Sequence, residues 1–246
     1  MKKKNIAYIL YDNIKTLLAA LFIAILIRSL LFQPFYIPSS SMEPTLLVGD
    51  RIFVSKYTYG YSKHSFPFSP NVSNKRLFSK DPERGDLVVF KTPADNRTDY
   101  IKRLIGLPGD TIQFINGELF VNNKRIPRKK TMSKEIIRCG NFFLKTDIFI
   151  ETLPNGAQYL AAYKKQGSLQ NTKKFKVPSG NYFLLGDNRD CSKDSRYLDS
   201  VGYVNGINLV GEAKLIFFSN DTNISSLLKF WNLNKSFRFE RLFKGL

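Results

Sequence analysis

The chain divides by its hydrophobic pattern into one long apolar run and a remainder of short alternating segments. Residues 14–32 read IKTLLAALFIAILIRSLLF, with no polar residue between Leu17 and Ile27. At about 1.5 Å per residue such a segment spans roughly 28 Å as a helix, close to the thickness of a hydrocarbon core. No later run approaches the length needed to cross a bilayer. Beyond it the pattern is strand and turn. Arg51–Lys56, Asp86–Lys91, Asn181–Leu185 and Glu212–Ser219 are short β-rich runs. Thr111–Val121 reads as two strands joined by Asn116-Gly117, a strong two-residue hairpin signal. Phe142–Glu151 and Gln158–Tyr163 are expected to pair around Pro154-Asn155-Gly156. Stretches 61–82 and 123–139 are polar and basic, and read as insertions or mobile loops. The expectation is one membrane helix followed by an all-β body over 33–246, with 112–180 as a candidate subdomain.

Charge sets the orientation expected of the helix. Lys2, Lys3, Lys4 and Lys15 flank its N-terminal side, and after Arg28 no Lys or Arg occurs until Arg51. The positive-inside tendency keeps residues 1–13 cytoplasmic and exports everything from about Gln33 onward. A cleavable signal peptide is the competing reading, but bulky Phe32, Pro34, Phe35 and Tyr36 follow the apolar run in place of a small-x-small site. The net charge is +18. An exported body makes nucleic acid a poor partner for that charge and an anionic bilayer a better one. Residues 224–246 interleave Lys229, Lys235, Arg238, Arg241 and Lys244 with Phe230, Trp231, Phe237, Phe239 and Phe243. That composition suits either a segment on a membrane face or a terminal element packed on the β body.

Metal and histidine chemistry have little to work with. Cys139 and Cys191 show no metal-ligand spacing, and whether they form a disulfide is left open by sequence. The one histidine, His64, lies in a Ser/Pro/Phe-rich stretch that reads as a surface loop. No cofactor or metal is expected.

Three segments carry candidate chemistry. The first places Ser39, Ser40 and Ser41 between Pro38 and Pro44, just past the apolar helix. A serine hydroxyl needs a base, and without a good histidine that base is a carboxylate or a lysine. The second is Asp99–Asp110, whose first half reads as a strand with Tyr100, Lys102 and Leu104 set against Ile101, Arg103 and Ile105. Lys102 is its one possible base, because arginine stays protonated. An unperturbed lysine is neutral in only about one molecule in 2,500 at pH 7, so a base role needs desolvation among apolar neighbours. The third, Gly186–Arg196, packs Asp187, Asn188, Arg189, Asp190, Asp194 and Arg196 behind the apolar strand Tyr182–Leu185. It reads either as an exposed polar loop or as a buried network bracing a site.

Together these segments resemble the bacterial type I signal peptidase family. The match lies in Ile37–Leu46, Arg84–Phe90, Tyr100–Asp110 and Gly186–Arg196, in family order. The resemblance implies a coiled, partly open β-barrel body and a Ser–Lys dyad, with Ser41 as nucleophile and Lys102 as general base. Ser39 takes the position of an oxyanion donor, beside the Ser41 N–H. Ser192 takes that of the serine that orients the lysine amine. Asp187, Asp194, Arg103 and Arg196 take those of a supporting shell. Phe35, Ile37, Leu46, Tyr100 and Ile101 match positions lining shallow pockets that accept small residues. Cys191 departs from the family pattern, where asparagine is common. The implied activity is cleavage of signal peptides from exported preproteins at the bacterial cytoplasmic membrane, without cofactor. A catalytically silent membrane scaffold on the same β body is the rival reading.

Overall fold

A computed structural model describes residues 6–67, 69–70, 75–164, 170–220 and 237–246. Helix α1, Ile6–Leu30, is apolar on all sides, and its large side chains, Leu17 and Phe22 among them, are exposed. Such an exposed surface, apolar all round among the described residues, fits a single membrane span. Tyr8–Leu30 is long and apolar enough to cross a bilayer. The helix starts earlier than the expected span at residue 14. Backbone hydrogen bonding continues through Tyr8, Tyr11 and Asp12 whatever their polarity. It also ends two residues sooner, because Phe32 already pairs with Ser55 in the first strand.

The body is built on one curled antiparallel sheet. Its strands are β1 (Phe32–Tyr36), β2 (Asp50–Ser55), β3 (Leu87–Lys91), β4 (Asp99–Gly106), β12 (Asn181–Leu185), β13 (Val204–Asn205), β14 (Leu209–Ser219) and β15 (Lys244–Gly245). Their order is β1-β2-β14-β3-β4-β12-β13, with β15 also on β14. Two small sheets fill the interval 111–176. One joins β5 (Thr111–Ile115), β6 (Glu118–Val121), β7 (Lys124–Arg125) and β11 (Phe175–Lys176). The other joins β8 (Arg128–Cys139), β9 (Phe142–Thr152) and β10 (Gln158–Lys164). A core of Phe114, Leu119, Tyr159, Phe175 and their neighbours joins these sheets to Ile105 of β4 and to Phe183 and Leu185 of β12.

Several expectations are corrected. The stretch 123–139 is not a loop. Most of it is β8, whose backbone pairs with β9, with Lys129 and Lys130 exposed and Arg128 lying over the Phe149 and Tyr163 rings. Strand β1 was not among the expected strands; Pro34 is tolerated in it because β1 lies at a sheet edge, where its missing N–H is not needed. His64 is buried, not on a surface loop. It sits in a one-turn 3₁₀ helix, Lys63–Ser65, capped by Ser62. The hairpin at Asn116-Gly117 forms as expected, and both residues take positive φ (50° and 72°). Most of the basic tail lies outside the described residues. Its last ten residues pack on the body: β15 pairs with Leu215 and Ile216, and buried Arg241 binds the Asp50 carboxylate.

Candidate active site

Ser41 lies in a one-turn 3₁₀ helix, Ser40–Met42, that follows β1. The turn is fastened at both ends by side chains that flank the serines. Ile37, Met42 and Leu46 are buried with Ile52, Val54, Leu87 and Val210 between β2, β3 and β14. Full burial of each such side chain contributes roughly 1.5–3 kcal/mol, so the serine hydroxyls sit on a rigid support. Behind the turn, buried Asp50 accepts hydrogen bonds from Leu47 N and Ser219 Oγ as well as from Arg241.

Lys102 reaches this turn from β4. Its Nζ lies 2.6 Å from Ser41 Oγ and donates to Ile101 O at 3.0 Å. The amine is buried, with the Tyr100 ring 5.5 Å away. Burial pulls the Lys102 pKa down to about 8; Asp194 and Asp187 oppose that shift and Arg196 adds to it. Ser39 is exposed, and its Oγ lies 3.4 Å from Ser41 Oγ.

The segment 186–196 is mostly buried, not an exposed loop; Lys193 alone is exposed and Asp190 and Cys191 are half-buried. Asp187 accepts both Arg103 Nε (2.8 Å) and Arg103 Nη2 (2.6 Å), and Thr45 Oγ1 donates to it as well. Asp194 accepts Arg196 Nε and Nη2, both at 2.8 Å, and Gly186 N at 3.0 Å. Burial works to raise the Asp194 pKa, but Arg196 and these hydrogen bonds hold it below the usual value. Two fork-to-fork pairs thus stand behind Lys102, close enough to act on its charge yet not hydrogen-bonded to it. Ser192 is buried beside Asp194 and helps lower that carboxyl's pKa, without a well-directed hydrogen bond of its own. The Lys102 amine bonds to Ser41 and Ile101, and Ser192 is not among its partners.

Comparison with known proteins decides the family. Residues 10–218 match the family described as signal peptidase, peptidase S26. The chain belongs to this family. A signal peptidase I from Rickettsia typhi is 44% identical over 243 residues, covering 91% of this chain and 89% of that one. Another, from Rickettsia prowazekii, is 43% identical over 242 residues with the same two coverages. A solved signal peptidase I from Enterococcus faecalis V583 is 27% identical, covering 54% of this chain and 97% of that one, with a TM-score of 0.31. This signal peptidase family member is therefore a serine endopeptidase.

Several residues that shape the peptidase site carried no assigned role in the sequence. Asn188 ties the nucleophile turn to the 186–196 segment. Its N donates to Ser41 O (3.2 Å), and its Nδ2 donates to Ser40 O and Arg138 O (both 3.0 Å). Gly186 is packed so closely that an added Cβ would lie 2.1 Å from Ser192 Oγ and 2.5 Å from Ser41 O. Arg189 forms a buried pair with Glu151 of β9, at 2.7 Å, and Tyr159 and Tyr163 bond to both. Burial works to raise the Glu151 pKa, but Arg189 and the two phenols hold it low. Glu151 had no local signal, since only the third dimension brings it to Arg189. Cys139 and Cys191 form a disulfide that joins the end of β8 to the same segment.

A cleft of about 410 Å³ opens beside Ser41 and Lys102. Four of the expected substrate residues, Phe35, Ile37, Tyr100 and Ile101, line it, and Ile52 and Val89 join them. Leu46 does not; it is fully buried in the core beneath the turn. Among the described residues, no group of three or more His, Cys, Asp or Glu side chains is placed to hold a metal ion.

Proposed function

We propose that the peptidase cleaves signal peptides from exported preproteins after small residues, with Ser41 as nucleophile and Lys102 as general base. The observation that carries this reading is the 2.6 Å contact between a buried lysine amine and a serine hydroxyl. With its pKa near 8, about one amine in ten is neutral at pH 7, roughly two-hundredfold more than for a free lysine. The neutral amine accepts the Ser41 proton as Oγ attacks the scissile carbonyl. The Ser41 N–H and the Ser39 hydroxyl donate to the oxyanion that develops. Lys102 then passes its proton to the departing amine, leaving an ester on Ser41. Water, deprotonated by Lys102, hydrolyses that ester. Asp187, Asp194, Arg103 and Arg196 position the elements that carry this pair.

The sheet geometry supports binding of an extended peptide. Pairing between β4 and β12 covers Arg103 to Gly106, so 99–102 offer an open edge to the cleft on that side. Strand β1, one end of the sheet, borders the same cleft through Phe35 and Tyr36. A substrate strand added there meets small apolar depressions walled by Ile52, Val89 and Ile101. Helix α1 anchors the chain in the cytoplasmic membrane, N-terminus inside, where the substrate is itself held; tethering both raises their effective concentration. Preproteins and the bilayer are the partners in this reading. The test is cleavage of a preprotein by the reconstituted peptidase. Ser41→Ala and Lys102→Met are each expected to lower kcat by 10³-fold or more, on the order of a removed catalytic group. Normal cleavage by either variant overturns the mechanism.

A further inference from the structure

A second cavity, of about 290 Å³, lies where the last turn of α1 meets the β body. Arg28, Lys56, His64, Lys91 and Arg97 line it. Asp99 is the one carboxylate among its lining residues, and it pairs with Lys91 at 2.9 Å. Among the described residues, no carboxylate pairs with Arg28, Lys56 or Arg97. Lys56 is 2% exposed and donates to Ser65 O. Burial first, and then the Arg28 charge, pulls its pKa down to about 8. Two buried polar atoms of residues in the same wall, Ser29 Oγ and His64 Nε2, have no hydrogen-bond partner, although both residues are at least nine-tenths buried. A native interior rarely leaves such atoms unsatisfied. A water would satisfy one or two of them but would leave the charges of Arg28, Lys56 and Arg97 in this wall without an ion-pair partner among the described residues. A group with one negative charge and several acceptor oxygens satisfies both needs.

We propose that this cavity binds the phosphate of a net-anionic phospholipid headgroup, held by Lys56, Arg28 and Arg97, with Ser29 and His64 completing the hydrogen bonds. A lipid fits better than a soluble phosphate because the cavity wall is the end of a membrane-length apolar helix, the level at which headgroup phosphates lie. The cavity also shares Phe35 and Asp99 with the catalytic cleft. A bound headgroup therefore sets the height and tilt of the cleft over the bilayer. This inference rests on the reading of α1 as an anchor.

The test uses the full chain in phosphatidylcholine vesicles with rising fractions of phosphatidylglycerol. Vesicle flotation, preprotein cleavage and retained lipid by native mass spectrometry are read together. The wild type is expected to retain phosphatidylglycerol and to cleave faster as its fraction rises. Lys56→Met and Arg97→Gln each remove one charged contact, so half-maximal retention should need about tenfold more phosphatidylglycerol. Their rates in pure phosphatidylcholine should match the wild type. Arg97 is exposed on a turn, so its variant stands in if Lys56→Met fails to fold. Phosphatidylglycerol dependence equal to wild type in the folded variants overturns the proposal. Inorganic phosphate that binds in detergent and displaces the lipid overturns the lipid assignment. Failure of the wild type to float with any vesicle overturns the anchor reading, and this inference with it.

Discussion

Gly186→Ala tests how tightly the nucleophile is held. The substitution adds one methyl group, which would sit 2.1 Å from Ser192 Oγ, 2.3 Å from Ser192 Cβ and 2.5 Å from Ser41 O. Ordinary contact begins at 3.4 Å, so the Ser41 carbonyl alone lies about 0.9 Å too close. None of these atoms is the end of a long flexible side chain. Asn188 N also holds Ser41 O at 3.2 Å, and Met42 anchors the same turn in the core. Strain therefore passes to the Ser41 backbone or to the 186–196 segment. Overpacking of this kind costs about 1–3 kcal/mol. For a chain of this size each 1 kcal/mol lowers the melting temperature by about 2–4 °C. A displacement near 1 Å at the reacting group costs on the order of 100-fold in rate. The assay is kcat/KM for preprotein cleavage, read beside thermal unfolding. The expected result is a loss of about 100-fold in kcat/KM with a drop of only several degrees in Tm. Wild-type kcat/KM in the variant would refute the claim that this contact positions the nucleophile.

Other consequences follow from the same geometry. Cleavage should rise with pH and level off above about 8, because the working form is neutral Lys102 and its pKa lies near 8; a flat profile between pH 6 and 9 argues against a lysine base. The same depressed pKa means that the unfolded chain binds more protons than the folded one between about 8 and 10.5. Lys102 therefore makes stability increase with pH across that window, which denaturant titration at several pH values would read. Glu151→Gln leaves Arg189 buried without its carboxylate and should cost about 3–5 kcal/mol of unfolding free energy, with tyrosine environments changed in near-UV circular dichroism. Cys139→Ser with Cys191→Ser opens a loop of 52 residues and should cost about 4 kcal/mol by chain entropy. Cys191 lines the cleft and neighbours Ser192, so activity should fall as well as stability.

Much of the site was legible because its signals are local. Prolines around three serines, apolar residues flanking a strand lysine, and a dense polar run after an apolar strand each describe a stretch of about ten residues. Membrane length, hairpin chemistry at Asn116-Gly117 and most strand positions are local in the same sense. The misreadings have a common cause. The basic stretch 123–139 looked like a loop because its side chains are polar, but β8 needs only a backbone partner, and β9 supplies one. His64 looked exposed because its stretch is rich in Ser, Pro and Phe, whereas its one-turn helix packs against β14 and buries it. Leu46 matched a pocket position by its place in the box, yet its side chain serves the core.

Sequence by itself determined the membrane-length helix, the β character of the body, and which serine and which lysine to examine, because hydrophobic period and residue chemistry act over neighbouring positions. Tertiary structure alone decided that Ser41 and Lys102 meet across 61 positions. It also decided that Cys139 joins Cys191, that Glu151 neutralises Arg189, and that a cluster of cations gathers at the foot of α1. Each of these depends on packing between elements far apart in the chain: the main sheet brings Lys102 to Ser41, and the β8–β10 sheet brings Cys139 and Glu151 to the 186–196 segment. The closeness that shifts the Lys102 pKa is a property of that packing, and no stretch of the chain contains it.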